Sequence, residues 1–152
     1  MPVTFENIFW DKILVPIRTD LRNEFGSSCK IYISDKYENN GNLSIRLFSD
    51  SSSFEEVRSS SQLREYNVDI SYYLISTDNS SDRLFEKIYR DTARIEALLF
   101  EKRFKNTSTT TGFINGIVED IVVNSKSDDE LNIDNLNTVK FSYTCQYEGN
   151  FS

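Results

Sequence analysis

The sequence predicts an α+β domain: a mostly antiparallel sheet with a β-hairpin, an N-terminal helix and one long helix packed on one face. Three observations predict it. Apolar residues recur every fourth position from Phe5 to Phe25, runs of strict two-residue alternation stand further on, and a long helical stripe separates two groups of those runs. At 152 residues the chain matches one domain, 1–152, and can bury roughly two-thirds of the surface that it exposes when unfolded. With 11 Phe and 8 Tyr, its interior is built largely on aromatic rings.

Phe5, Phe9, Ile13, Ile17, Leu21 and Phe25 form one stripe of a helix over 4–25. Pro16 lies inside it and predicts a kink, or a break into two shorter helices near Val15, because its ring clashes with an earlier carbonyl and it has no N–H. Gly26, Ser27 and Ser28 end the helix. From Cys29 to Tyr37 and from Leu43 to Phe48 the pattern changes to period two. Asn39-Asn40-Gly41-Asn42 lies between these runs, and Asn-Gly is a strong hairpin signal, so the two runs are expected to pair antiparallel.

Residues 49–65 are too polar for a core and read as a long connection, either functional or disordered. Tyr66, Val68, Ile70, Tyr72 and Leu74 then alternate with polar residues as a half-buried strand. Ser80 or Ser81 caps the next helix, with Asp82 in its first turn, and its stripe of Leu84, Ile88, Ile95 and Leu99 runs to about Arg103. After the polar turn 106–111, Phe113 to Val123 is apolar on both sides, with Ile114, Val118 and Val122 set against Ile117, Ile121 and Val123. Such a run suits a central strand or one side of an interface. A second long connection, 124–137, carries Asp128, Asp129, Glu130 and Asp134. The chain closes on a strand of Val139, Phe141, Tyr143, Cys145 and Tyr147.

The absence of histidine removes the commonest general base, the commonest metal ligand and every Ser-His-Asp or Cys-His arrangement. Asp128-Asp129-Glu130 and Glu55-Glu56 are the nearest carboxylate pairs, and adjacent acids in Ser/Asn-rich segments read as solvated charge. Gly112 and Gly116 belong to no phosphate loop; glycines in a strand mark a bulge or close packing. No catalytic residue, cofactor or metal is expected, and the chain is not expected to be an enzyme. Cys29 and Cys145 read as two half-buried thiols of a reducing compartment. The net charge of −7 disfavours binding to nucleic-acid phosphates. No apolar run is long enough to span a membrane, and the N-terminus lacks the layout of a signal peptide, so synthesis in the cytoplasm is expected. Tyr32, Phe48 and Tyr73 fall on strand faces opposite the core and need a cover, either a second helix layer or a neighbouring subunit.

The element order, the opening Cys29-Lys30-Ile31-Tyr32-Ile33, the run Arg64-Glu65-Tyr66-Asn67-Val68-Asp69-Ile70-Ser71-Tyr72-Tyr73 before a long helix, and the closing Val139-Lys140-Phe141-Ser142-Tyr143 span nearly the whole chain. In this layout the chain resembles the tail terminator and tail-completion (head–tail joining) proteins of tailed bacteriophages. The resemblance implies a virion protein, made in the host cytoplasm, that forms a homo-oligomeric ring, with a hexamer among the candidate sizes. Such a ring caps the tail tube protein and offers a surface to the neck or connector protein. DNA would pass through the lumen without specific binding, which an acidic wall favours.

Under that reading Asp128, Asp129, Glu130 and Asp134 face the lumen or tube. Phe54, Val57, Arg58 and Arg64 in the 49–65 segment reach a neighbour or the connector, and Ile117 with Ile121 contributes to the ring contact. Another tail, neck or baseplate component fits the same features. So does a different class of protein, a small acidic monomer that plugs a partner as an inhibitor does.

Overall fold

The computed structural model describes residues 2–76, 80–104, 112–124 and 135–150. The N-terminal stripe becomes two helical pieces, a π-helix at Ile8–Leu14 and then α1 at Val15–Phe25. Pro16 sits in the first turn of α1, where its missing N–H costs no hydrogen bond, and the wider turns before it make room for the ring. The break expected near Val15 is therefore present. Helix from residue 4 is not, and Phe5 is exposed while Ile13, Ile17, Leu21 and Phe25 are buried. Gly26, at φ +67°, ends α1 in a conformation that suits glycine, and its N–H bonds to the Arg22 carbonyl.

The strands are β1 (Lys30–Ile33), β2 (Leu43–Val57), β3 (Ser61–Ile75), β4 (Ile114–Val123) and β5 (Leu136–Asn150), and α2 spans Ser81–Glu101. Among the described residues they form one sheet in the order β1-β2-β3-β5-β4. Ile31, Ile45, Tyr72, Val139 and Val123 line up across all five strands, and this face is buried beneath α1 and α2. The α+β class, the N-terminal helix and the long helix all stand as expected. Ser80 caps α2 by accepting a hydrogen bond from the Arg83 N–H.

Two expectations are overturned. The runs on either side of Asn39-Asn40-Gly41-Asn42 do not form an antiparallel hairpin; β1 pairs parallel to β2, Lys30 with Ser44 through Ile33 with Leu47. Asn-Gly marks a reversal of the chain but does not say which strand edge the chain reaches afterwards. A parallel neighbour requires the chain to cross back over the sheet, and residues 34–42 do so on the face away from the helices. Tyr37 there packs edge-on against Tyr73, with ring centroids 4.7 Å apart, and the Tyr32 hydroxyl accepts the Glu38 N–H. Arg46 donates to the Tyr73 and Ser71 hydroxyls and to the Ser34 carbonyl. Tyr73 is thus covered by the chain's own crossover, where a second helix layer or a subunit was expected.

The second correction concerns 49–65, which is not a loop. β2 runs to Val57, the chain turns at 58–60 and β3 begins at Ser61, so the antiparallel hairpin lies here, between β2 and β3. Its polar composition follows from its position. Past Ser49 β2 lies beyond the helices, neither of its faces is dry, and the backbone ladder holds it without alternation. Arg64 donates to Ser52 at 3.0 Å and Asn67 to Ser51 at 2.8 Å, while Arg58 pairs with Glu148.

Burial sets an alkaline limit on this core. Tyr72 and Tyr143 are almost fully buried, and burial pushes both phenols well above their ordinary value of 10; for Tyr72 a hydrogen bond to Asp91 adds to the effect. In the unfolded chain they ionise near 10, so the stabilisation is complete below that pH and is lost as pH rises above it. The melting temperature should hold level from about pH 7 to about pH 8, decline as the thiols of the unfolded chain ionise, and fall steeply beyond about pH 10.5, with Tyr72 and Tyr143 ionising only as the protein unfolds. A level melting temperature through pH 11, on the order of one unit above the ordinary value, would contradict this.

Candidate functional site

β2 and β4 lie on opposite sides of the β3–β5 centre, and each leaves a strand edge open. β1 accompanies β2 only as far as Leu47, so among the described residues the edge from Asp50 to Val57 has no partner strand in the sheet. The opposite edge is β4, which among the described residues pairs only with β5. Open strand edges are ready templates for another chain.

At the first edge, β2, β3 and the end of β5 form a three-stranded arm. Phe54, Arg64 and Tyr147 occupy one row on the helix face. Helical cover stops short of them, at Phe9 packed edge-on against Tyr66. Phe54 is 54% exposed and Val57 is 67% exposed. Arg58 at the tip is held by Glu56 and Glu148, and Arg64 by Ser52, so these two guanidiniums brace the arm. From below, Glu6 accepts the Tyr147 hydroxyl at 2.7 Å and the Asn150 N–H at 2.8 Å.

The second edge is built around Gly116. Shifts of register between Ile114 and Ile117 and between Val118 and Asp120 break the simple alternation of β4. Val118, Ile121 and Val123 turn inward against the core, and Ile114, Ile117 and Val122 turn outward. The expected sorting of this strand into two faces is corrected accordingly: the second shift moves Ile121 inward, away from Ile117. The strand is also not central. The Gly116 N–H bonds to the Arg103 carbonyl at 2.9 Å, tying β4 to the end of α2.

Between Leu99, Phe100 and Arg103 of that helix end and Gly116, Ile117 and Val118 of β4 lies a groove of about 230 Å³, with Glu96 at one side. The Arg103 guanidinium lies 4.0 Å from the Phe100 ring centre and 4.7 Å from that of Phe104, and both rings are largely exposed. No family model matches this chain, and no curated protein matches it.

The structure therefore gathers Phe54, Val57, Arg58 and Arg64 on one arm and places Ile117 at the opposite edge. Ile121 belongs to the core layer, and Asp128, Asp129, Glu130 and Asp134 lie outside the described residues. Sequence reasoning missed the groove. Its signal was present in Phe100, Arg103 and Phe104, spaced i, i+3, i+4 on the side of the helix away from the core stripe. Cys29 and Cys145 are free and buried, more deeply than half-buried, and burial together with the Asp91 carboxylate pushes the Cys29 thiol up to about 12. Among the described residues no three His, Cys, Asp or Glu converge as metal ligands would, and no helix is long and apolar enough to cross a membrane.

Proposed function

We propose that this chain is a structural virion subunit of the tail terminator type, which assembles head-to-tail into a ring that caps a tail tube and meets the neck or connector. The observation that carries the reading is the pair of open edges on one sheet: the β2 arm with exposed Phe54 and Val57, and β4 with exposed Ile114, Ile117 and Val122. Two different surfaces at opposite edges suit a heterologous contact, which closes into a ring when the rotation per subunit allows it. The net charge of −7 supports a wall along which DNA slides without adhering.

The test is the mass of the purified chain by light scattering and native mass spectrometry, alongside a crosslinked pull-down from its native source. Rings of this chain recovered with a tube protein and a connector protein support the reading. A monomer at every concentration, bound one-to-one to an unrelated protein, overturns it and favours the inhibitor-like module.

Ile117→Asp with Val122→Asp tests the edge. Both side chains are exposed on the wet face of β4, so the melting temperature should shift little, within roughly 0.5 kcal/mol of stability per site, while ring formation is lost. The pair Ile117→Asp with Ile121→Asp is a poorer test, because Ile121 packs partly buried against the core and an aspartate there would destabilise the fold as well. Normal rings from the Ile117/Val122 variant would remove β4 from the contact.

A further inference from the structure

We infer that the arm of one copy seats Phe54 in the groove between α2 and β4 of the next copy. This rests on the ring reading above and adds the residues that make the contact.

Phe54 is a large apolar side chain held out on a strand tip. The arm beneath it is braced by the β3 ladder and by the Arg58–Glu148 and Arg64–Ser52 contacts, so little ordering entropy remains to be lost on docking. Phe5 and Val3 are comparably exposed but lie outside regular secondary structure, ahead of the first helix, and are less well organised for docking.

The groove is its counterpart. At about 230 Å³ it is smaller than the roughly 300–1,000 Å³ sites that hold drug-sized ligands, and it suits one aromatic side chain. Leu99, Ile117 and Val118 line it, and Arg103, close to the Phe100 and Phe104 rings, adds a cation to its wall. A single aromatic anchor in a pocket is the usual centre of a protein interface. Charge stands on both sides: Glu55 follows Phe54 on the arm, and Arg103 lines the groove together with one acid, Glu96.

Geometry makes the occupant a second copy. Knob and hole lie at opposite edges of one sheet, three strand spacings or about 14 Å apart, and so cannot meet within a molecule. A knob that fits a hole elsewhere on the same surface produces a head-to-tail contact.

The test uses two variants of the full chain, Val57→Cys at the arm tip and Glu96→Cys beside the groove, mixed and treated with a short bismaleimide. The native thiols are buried, so wild type serves as the unreactive control. A crosslinked product is expected in the mixture and in neither variant alone, and it should fall at least tenfold when Phe54→Ala is added to the arm variant. Rings of normal mass with no crosslink would overturn the arm-in-groove contact and leave the ring reading standing. Each chain carries one reactive thiol, so the covalent product is always a pair; a crosslink together with a native mass of two copies for wild type would support the contact and remove the ring. A wild type that is monomeric throughout overturns both.

Discussion

Asp91→Ala should cost about 2–4 kcal/mol, a drop on the order of 10 °C in melting temperature, because it leaves a hydroxyl stranded in the core. Asp91 is 2% exposed, in the middle of α2 on the side that faces the sheet. It accepts the Tyr72 hydroxyl at 2.5 Å and the Lys87 ammonium at 3.1 Å. Tyr72 is wholly buried, so water cannot replace its partner, whereas Lys87 is partly exposed and can return to solvent. The penalty therefore falls mainly on the tyrosine. Asp91→Asn keeps an acceptor for that hydroxyl and should cost clearly less than Asp91→Ala. Tyr72→Phe combined with Asp91→Leu removes donor and acceptor together and should recover much of the loss, since a buried pair replaced by apolar groups of similar shape is close to neutral. Urea unfolding of wild type, Tyr72→Phe, Asp91→Leu and the double variant measures this cycle. Additive losses in the double variant would mean that the bond carries no coupling.

Gly116→Ala should cost about 2–3 kcal/mol through overpacking, and Gly116→Val more. A Cβ at this position would lie 1.8 Å from the Tyr143 hydroxyl oxygen, 2.7 Å from the ring carbon that bears it and 3.2 Å from the Arg103 Cα. Tyr143 is fixed in the core with its ring edge-on to Phe113, so β4 has to move, and with it the floor of the groove. Among the described residues the buried Tyr143 hydroxyl has no hydrogen-bond partner. Tyr143→Phe alone should therefore be neutral or slightly stabilising, and added to Gly116→Ala it should restore part of the loss, the ring carbon still being too close. Thermal unfolding decides. A wild-type melting temperature for Gly116→Ala would mean that β4 is not held against the end of α2.

The sides of elements that face the helix-covered core were legible in the sequence. Alternation from Tyr66 to Leu74 and from Val139 to Tyr147, and the stride of Ile13, Ile17, Leu21 and Phe25, each record one dry face, and all of these residues are buried. Pro16 and the Ser80 cap act through local backbone chemistry, and both were placed correctly. Gly116 was legible as a strand glycine marking a bulge or close packing, though not as packed against Tyr143.

Where a strand lacks a dry face, the pattern disappears. Residues 49–57 are β-strand with a polar sequence because the arm extends past the helices, and their conformation is imposed by the β3 ladder. Within 113–123 the alternation is present but broken by two register shifts, so counting by twos assigned Ile121 to the wrong neighbours.

The sequence by itself determined the class, the helix that breaks at Pro16, the aromatic core and the lack of histidine chemistry, since each depends on residues near one another in the chain or on composition alone. Tertiary structure alone decided that β1 lies parallel to β2, that residues 34–42 cover Tyr73, and that arm and groove stand at opposite edges of one sheet. Strand pairing joins residues far apart in sequence, and several pairings satisfy the same local pattern. The choice falls to the arrangement that buries the most apolar surface with its backbone groups paired.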